Sequence, residues 1–331
     1  MNYKFIGELN QMKDQKATVI IDLGNGEVKA KVRVGVKGQW KSVSFPSVVV
    51  KDFDGGFILD NKKVVVGIEA RQLSCKSTGS SSSGKVNNSL FLLTKVLQES
   101  VGFENPLTID VIFGCPSIKE YGEDIKAQLV GLHTVKVPKD INGLGKAISQ
   151  SIRVVRAIPQ LEGYQAHQMI SKDAKIKYIV DIGNRTVLIT GVNQNGGIAS
   201  RDHRKQFDSC GVQSICSKLS KEEVLVKLPH APRLANPDDV MDYLLDSKFT
   251  KDELTLVSNK IKPYLGACLE EAADWVAERF QKGDSVTLIG GGARLPGIVN
   301  LFKGSKVIKN SSWATVDGLL KVADTLIAGV K

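Results

Sequence analysis

The feature that most constrains the fold is a strand–turn–strand motif that occurs twice in the 331-residue chain. Residues 19–34 run from an apolar segment through Asp22 and a glycine-containing turn into a second, alternating segment. Residues 178–192 repeat this order around Asp181 in the second half of the chain. An apolar run, a tight turn with glycine and a further apolar run predict a β-hairpin. A single hairpin of this kind is common and would indicate nothing further. One hairpin in each half of the chain predicts two similar domains that face each other.

The Asp-x-Gly turn of each hairpin indicates a chemistry as well as a shape. A carboxylate at the end of a buried strand can hold a hydrated Mg²⁺ ion, and a glycine lets backbone N–H groups come close to a phosphate. Asp22 with Gly24 and Asp181 with Gly183 both have this arrangement. The two hairpins therefore predict a nucleotide between the domains, with each hairpin binding phosphates from its own side.

A third motif is a buried strand that ends in three glycines, Gly290, Gly291 and Gly292, before a helix expected at residues 296–302. Glycines present no side chains, so a flat base or an α-phosphate can lie against the backbone. The chain has neither the Gly-x-x-x-x-Gly-Lys-Ser/Thr phosphate loop nor the Gly-x-Gly-x-x-Gly motif of dinucleotide-binding folds.

Composition excludes several other classes of protein. The length suits two domains of about 150 residues each. The five cysteines are odd in number and have no Cys-x-x-Cys spacing, which argues against a disulfide framework or a zinc site. The apolar runs are too short to span a membrane, and residues 1–16 contain no apolar signal core. We therefore expect a cytoplasmic protein without a membrane partner.

The formal net charge of +10 could attract DNA or an acidic partner protein. The lysines are distributed along the whole chain and do not cluster, apart from a basic run at residues 201–205. No recognition helix or zinc-finger spacing supports specific DNA recognition. The charge alone does not decide whether the chain binds DNA directly.

Taken in order, the three motifs resemble the first phosphate loop, second phosphate loop and adenosine loop of the actin and sugar-kinase ATPase superfamily. Within it, residues 159–164, 208–212 and 289–293 resemble the plasmid-segregating bacterial actins of the ParM (StbA) type and the archaeal actin-like proteins. The resemblance extends over residues 18–330. It implies an α/β, actin-like two-domain fold, with duplicated ribonuclease H-like mixed sheets flanked by helices and a nucleotide cleft between them.

The resemblance also implies a division of the chain and a set of ligands. Residues 1–16 would be a polar lead, 17–157 domain I with a small lobe around 41–105, and 158–331 domain II. The cofactors would be ATP, or GTP, and Mg²⁺, with Asp22 and Asp181 holding the metal mostly through water. The remaining residues would surround the nucleotide: Gly24, Asn25, Gly26 and Lys29 at the β- and γ-phosphates, Gly183, Asn184 and Arg185 opposite them, Gly211 beside the nucleotide, and Gly290, Gly291 and Gly292 at the adenosine.

The attacking water has two candidate partners in the segment 159–169. In the superfamily a helix here, directly after a core strand, carries the Gln or Glu that positions the water. Gln160 occupies that position if Pro-Gln matches the family's Pro-Glu, although a Gln orients water and is not a strong base. Glu162 is the competing candidate, and we favour Gln160. Alternatively, both are ordinary first-turn residues stabilised by the helix dipole.

The function implied by the resemblance is a polymerising ATPase that forms cytomotive filaments for plasmid DNA segregation. Its partners would be further copies of the chain and a DNA-binding adaptor on a centromere-like site. A small-molecule kinase or a monomeric ATPase of the same fold is the alternative. A kinase usually needs an Asp base near the γ-phosphate, and residues 157–170 contain none.

Local patterns predict further elements. The low-complexity run 78–85 predicts a mobile loop, and apolar spacing predicts helices at 88–101 and at 251–280, the second interrupted or kinked at Pro263. Asp208 or Ser209 is the expected cap of a helix that runs to about residue 219.

Overall fold

The computed structural model of the chain describes residues 15–73, 82–139, 146–170, 173–232 and 236–329. Both predicted hairpins form: β1 (Gln15–Leu23) with β2 (Glu27–Val34), and β10 (Ile176–Ile182) with β11 (Thr186–Asn193). In the antiparallel registers Asp22 lies opposite Lys29, and Asp181 lies opposite Leu188. The two aspartates therefore occupy equivalent places in the two hairpins.

The described strands form two sheets with a shared core order. The other strands are β3 (Lys41–Pro46), β4 (Val49–Lys51), β5 (Phe57–Leu59), β6 (Lys62–Val66), β7 (Leu107–Cys115), β8 (Gly131–Val137), β9 (Ile148–Leu161), β12 (Arg204–Asp208), β13 (Ser285–Ile289) and β14 (Ser305–Val307). The first sheet has the order β3-β2-β1-β7-β9-β8-β5-β6-β4, and the second has the order β12-β11-β10-β13-β14. In both, an antiparallel meander is followed by two parallel strands. The predicted fold, α/β with duplicated mixed sheets, is confirmed.

The first sheet curls around its own core. Strands β3 and β4 lie at its opposite edges, yet only residues 47 and 48 separate them along the chain. Helix α2 (Ser82–Ser100) packs in the same core, and its consecutive residues Leu92, Leu93 and Thr94 are all buried. Because successive helical residues point in directions about 100° apart, the middle of this helix is buried on more than one face. Strands β4 to β6 extend this sheet, so the strands of the proposed small lobe are continuous with those of domain I.

The remaining helices flank the two sheets. They are α1 (Ile68–Leu73), α3 (Glu123–Leu129), α4 (Val212–Leu219), α5 (Pro237–Asp246), α6 (Lys251–Arg279), α7 (Ile298–Leu301) and α8 (Ala314–Gly329). The long helix expected at 251–280 is α6, which continues through Pro263. In the run 78–85, where a loop was expected, residues 78–81 lie outside the described residues and 82–85 form the start of α2.

Two local predictions were wrong, for physical reasons. Strand β9 continues to Leu161, paired with β7, and only a short 3₁₀ helix, Tyr164–Met169, follows where a helix was expected from residue 159. The residue that caps α4 is Gly211, with no side-chain cap, in place of Asp208 or Ser209. Carbonyl oxygens of the second hairpin turn accept the hydrogen bonds from the first N–H groups of this helix instead.

Helix α8 connects the two halves, because it follows the second sheet in sequence but packs on the first. Its residues Val316, Leu319 and Ala323 form a buried cluster with Ile20, Ile112 and Ile158 of the first sheet. Charged contacts join the same surfaces, with Lys31 2.6 Å from Asp317 and Arg33 2.6 Å from Asp324. None of the helices in the described ranges is both long and apolar enough to cross a membrane.

Candidate functional site

Strand alternation brings the two aspartates to one cleft. On β1, Ile21 packs into the core around α2, whereas Ile20 and Asp22 point to the other face of the sheet. On β10, Val180 packs into the second core, and Asp181 points away from it. Both aspartates lie near the carboxyl ends of their strands and beside a parallel neighbour. Ligands of α/β proteins bind at this edge of a sheet.

A cavity of about 420 Å³ lies between the two halves at this edge. Its volume is in the range that small-molecule ligands occupy in proteins. The predicted site residues that line it are Asp22, Gly24, Asn25, Gly26, Lys29, Glu162, Asp181, Gly183, Asn184, Gly290, Gly291 and Gly292. The fold therefore brings most of the predicted set together.

Three predicted residues do not line this cavity. Gln160 donates a 2.8 Å hydrogen bond to the carbonyl oxygen of Pro159 and accepts one of 3.0 Å from Gln165. Arg185 donates from Nε to Oε1 of Gln213, at 2.9 Å. Gly211 packs against the turn of the second hairpin, where its N–H donates to the carbonyl oxygen of Arg185 at 3.3 Å.

The hairpin turns are supported in the same way in both halves. The N–H of Ser47 donates to the carbonyl oxygen of Gly26 at 3.0 Å, and the N–H of Gly211 donates to that of Arg185, the equivalent turn position, at 3.3 Å. A side-chain carbon at Gly211 would lie 2.5 Å from the carbonyl oxygen of Asn184, so this glycine permits the contact. In each half the chain that follows the third strand thus holds the turn in place.

The two turns also meet across the cleft. A side-chain carbon at Gly26 would lie 2.9 Å from the side chain of Asn184. Glycine at this position therefore allows the two hairpins to approach within contact distance.

The three glycines of the loop that follows β13 have different surroundings. Gly290 has a φ of +85°, and any side chain there would run into the Asp181 carboxylate. A side chain at Gly292 would collide with Ile182 and Val212, whereas Gly291 has no atom within 4 Å of its substituent position. The outer glycines permit close packing, and the middle one leaves open space at the cavity wall.

Lys85 is a residue of this site that the sequence reasoning missed. Its side chain is only 2 % exposed, and Nζ donates to Oε2 of Glu162 at 3.0 Å. A charged side chain is buried this deeply only when it is paired. The sequence signal that could have identified it is helical spacing, because Lys85, Ser89, Leu92 and Val96 follow one face of α2 and are all buried.

The cleft carries more negative charge than its cations balance. Burial and the nearby Glu162 carboxylate raise the pKa of Asp22 to about 6. The same causes, with the Asp22 charge added, raise the pKa of Asp181 to about 8. Lys29 and Lys85 lower both values, but only in part. A cation that entered between the two aspartates would stabilise their charged forms.

The donor set fits a hydrated Mg²⁺ ion with a phosphate ligand. Asp22 Oδ1, Asn25 Oδ1 and Asn184 Oδ1 are buried without a hydrogen-bond partner. Such oxygens can accept hydrogen bonds from the waters that Mg²⁺ retains. In the part of the chain that the structure describes, no group of three His, Cys, Asp or Glu side chains could hold a metal by itself. The two aspartates therefore suit a metal whose other ligands are water and phosphate.

The outer part of the cavity, also missed in the sequence, is built by α5 and by a residue of α1. Met241 and Leu245 supply apolar surface there. Arg71 of α1 lies 3.3 Å from Asp242 and 3.7 Å from Asp238, both on α5. This ion pair joins the two halves at the edge of the cavity.

Comparisons with known proteins identify the same fold. Residues 21–163 match the family described as "Actin like proteins N terminal domain". The fold is that of the actin-like proteins, and the predicted resemblance is confirmed. No curated protein sequence matches the chain.

Three solved structures illustrate the likeness. The actin-like protein Alp7A has a TM-score of 0.66 and 16 % identity, covering 96 % of this chain and 98 % of its own. ParM from Bacillus thuringiensis with ATP gives 0.64 and 15 %, covering 94 % and 98 %. An AlfA filament bound to AMPPNP gives 0.61 and 16 %, covering 95 % and 99 %. The chain thus shares its fold with Alp7A, ParM and AlfA.

Proposed function

We propose that this chain is a polymerising actin-like ATPase that hydrolyses ATP in the cleft between its two halves. The observation that carries the proposal is the pair of equivalent aspartates, each on its own hairpin, which line one cavity together with Glu162. Two structures that share the fold contain ATP or its analogue AMPPNP, and one of these is a filament.

In this proposal the phosphates lie between the two hairpin turns. Gly24, Asn25 and Gly26 border them on one side, and Gly183 and Asn184 on the other. Asp22 and Asp181 hold Mg²⁺ mostly through water. The metal, when bound, neutralises charge on the phosphate oxygens.

The base of the nucleotide then lies in the outer part of the cavity. The open space beside Gly291 and the apolar surface of Met241 and Leu245 suit a flat ring. Because a backbone surface distinguishes bases weakly, GTP is tested beside ATP.

Glu162 is our candidate for the group that positions and deprotonates the attacking water. Its side chain lines the cavity, whereas Gln160 is bound to the Pro159 carbonyl and to Gln165. A carboxylate can also accept a proton, which an amide cannot do effectively. The sequence favoured Gln160, and the geometry supports Glu162.

Nucleotide binding would close the cleft and favour assembly, and hydrolysis would loosen the filament. Plasmid segregation through a DNA-binding adaptor, in the cytoplasm, is the use that the resemblance to ParM-type actins implies. The net charge of +10 would favour an acidic partner or DNA nearby.

The first test follows light scattering and phosphate release at rising protein concentration, with ATP, GTP or ADP and Mg²⁺. We expect a critical concentration, scattering that rises when ATP is added, and phosphate release that follows. Asp181→Ala should lose the release because one side of the metal and phosphate site is removed. Asp54→Ala, at a side chain that is 87 % exposed, is the matched control and should behave like the wild type.

Two other outcomes would overturn parts of this proposal. Nucleotide turnover without scattering at any concentration would favour a monomeric ATPase or a kinase. Absence of both binding and turnover for every nucleotide would reject the nucleotide site itself.

Arg71 offers a test of the edge of the cavity. Arg71→Gln removes the ion pair between α1 and α5, and we expect a bound fluorescent ATP analogue to dissociate about 2- to 5-fold faster, as for the loss of a partly exposed pair worth up to about 1 kcal/mol. Stopped-flow displacement measures the rate. The control is Lys63→Gln, which removes an exposed ion pair with Asp54. Neither residue lines the cavity, so the dissociation rate should be unchanged. An unchanged rate in Arg71→Gln would show that this pair does not retain the ligand.

A further inference from the structure

We infer that Lys85 is a positioning residue for hydrolysis, because its ammonium group fixes the carboxylate of Glu162 in the cleft. The inference rests on the function proposed above and extends it to a residue outside the predicted motifs. It assigns to helix α2 a part in the site that neither hairpin nor the glycine loop supplies.

The contact itself is direct and well shielded from solvent. Nζ of Lys85 lies 3.0 Å from Oε2 of Glu162, and the two side chains are 2 % and 12 % exposed. Ion pairs at this depth are less weakened by water and salt than surface pairs. The Glu162 carboxylate is therefore held in one orientation.

The backbone on both sides of the contact is fixed as well. The N–H of Glu162 donates to the carbonyl oxygen of Cys115 at 2.9 Å, at the end of β7. Lys85 belongs to helix α2, which packs in the core of the first sheet. A reacting group placed by rigid elements keeps its geometry better than one on a free loop.

The arrangement also separates the two oxygens of the carboxylate. Lys85 occupies Oε2, so Oε1 is the atom that would accept the hydrogen bond and the proton of the water. Without the ammonium the carboxylate could rotate, and a displacement of about 1 Å at a reacting group can cost about 100-fold in rate.

A purely structural role for Lys85 predicts different behaviour from a positioning role. If the pair only stabilises the fold, its loss should lower stability and leave the rate per folded molecule unchanged. If Lys85 binds the nucleotide itself, its loss should raise KM. Positioning predicts a fall in kcat, with nucleotide affinity nearly unchanged.

The experiment compares wild type, Lys85→Met, Glu162→Gln and the double variant, with kcat, KM, ADP affinity and thermal unfolding measured for each. Lys95→Met is the matched control, because Lys95 is on the same helix, is 12 % exposed and pairs with Glu99 at 3.2 Å. We expect Lys85→Met to lower kcat about 10- to 100-fold, with ADP affinity within about 3-fold of the wild type. Lys95→Met should leave kcat unchanged.

The double variant keeps the test decisive if Lys85→Met alone fails to fold. It removes both charges of the pair, so no unpaired charge is buried. Positioning through Glu162 predicts that the double variant is no slower than Glu162→Gln alone. A further tenfold loss in the double variant, or an unchanged kcat in folded Lys85→Met, would overturn the inference. Absence of hydrolysis by the wild type would instead reject the proposed function.

Discussion

Glu162→Gln is expected to lower phosphate release by about 10²- to 10⁴-fold, the usual contribution of a positioned general base. The substitution keeps the size of the side chain and its ability to hydrogen-bond water, but removes the proton acceptor. Nucleotide binding should persist, because the hairpin turns and the glycine loop are untouched. Single-turnover release of phosphate, with ATP affinity measured in parallel, separates the two effects.

The same variant should also slow the disassembly of the filament. If hydrolysis loosens the filament, Glu162→Gln should scatter light with ATP as the wild type does but lose the signal far more slowly. Rapid loss of scattering without phosphate release would show that disassembly does not depend on hydrolysis.

Gln160→Ala is the control that decides between the two candidates for the water. Since the side chain of Gln160 is hydrogen-bonded to Pro159 and Gln165, we expect its loss to change the rate of phosphate release by less than about 3-fold, well below the contribution of a positioned general base. A large loss in Gln160→Ala, with near-normal release in Glu162→Gln, would restore the assignment that the sequence favoured.

The parts of the fold that were predictable from the sequence are those encoded locally. The alternation around Asp22 and Asp181 and the glycines after them specify two hairpins within about fifteen residues each. The order of each sheet depends on parallel pairing with β7 and β13, whose paired residues lie 92 and 108 residues further along the chain. Here the resemblance to a known family supplied what local patterns do not contain.

The misplaced helix at residues 159–169 shows how tertiary pairing overrides a local pattern. Pro159 and the polar residues after it are typical of a helix start. In the structure Gln160 and Leu161 pair with Gly114 and Cys115, so the strand continues and the turn comes later. This shift of the turn is what moves Glu162 into the cavity and leaves Gln160 outside it.

Lys85 and Arg71 were missed because their roles depend on partners far away in sequence. Lys85 meets Glu162, 77 residues later. Arg71 meets Asp242, 171 residues later. Neither residue lies in a motif, and the helical spacing that places Lys85 on the buried face of α2 does not reveal its partner. Such contacts become visible only when the tertiary fold is known.

A second large effect is expected at a partly buried ion pair between β7 and β9, outside the cleft. Arg156 contacts Asp110 in a two-pronged arrangement, with Nε 2.7 Å from Oδ1 and Nη2 2.8 Å from Oδ2. A bulge makes this possible, because the register passes from Ile109 opposite Val154 directly to Asp110 opposite Arg156. The skipped residue, Val155, is 50 % exposed.

Asp110→Asn is expected to lower the free energy of unfolding by about 2 kcal/mol, between the cost of losing an exposed ion pair and that of breaking a buried one. The side chain of Asp110 is 3 % exposed, but that of Arg156 is 25 % exposed, so water offsets part of the loss. Arg156 also donates to the carbonyl oxygen of Ile327 at 2.7 Å, so the attachment of α8 should weaken together with the sheet. Urea unfolding at neutral pH measures the change.

The matched control is Asp324→Asn, which removes the Arg33 ion pair between the same helix and sheet. Asp324 is 77 % exposed, so its loss should cost less than about 1 kcal/mol. Equal losses in the two variants would show that burial does not set the strength of these contacts.

The pH dependence of the same pair tests whether charge carries its contribution. The hydrogen bonds from Arg156 hold the pKa of Asp110 below its ordinary value. A carboxyl whose pKa is lower in the folded state stabilises the fold above its unfolded pKa of about 4, and that stabilisation is lost as the pH falls through the folded pKa. The difference between wild type and Asp110→Asn should therefore be largest near neutral pH and shrink below about pH 4. A difference that stayed constant into the acid range would mean that side-chain shape, and not the carboxylate charge, holds Arg156 against the sheet and α8.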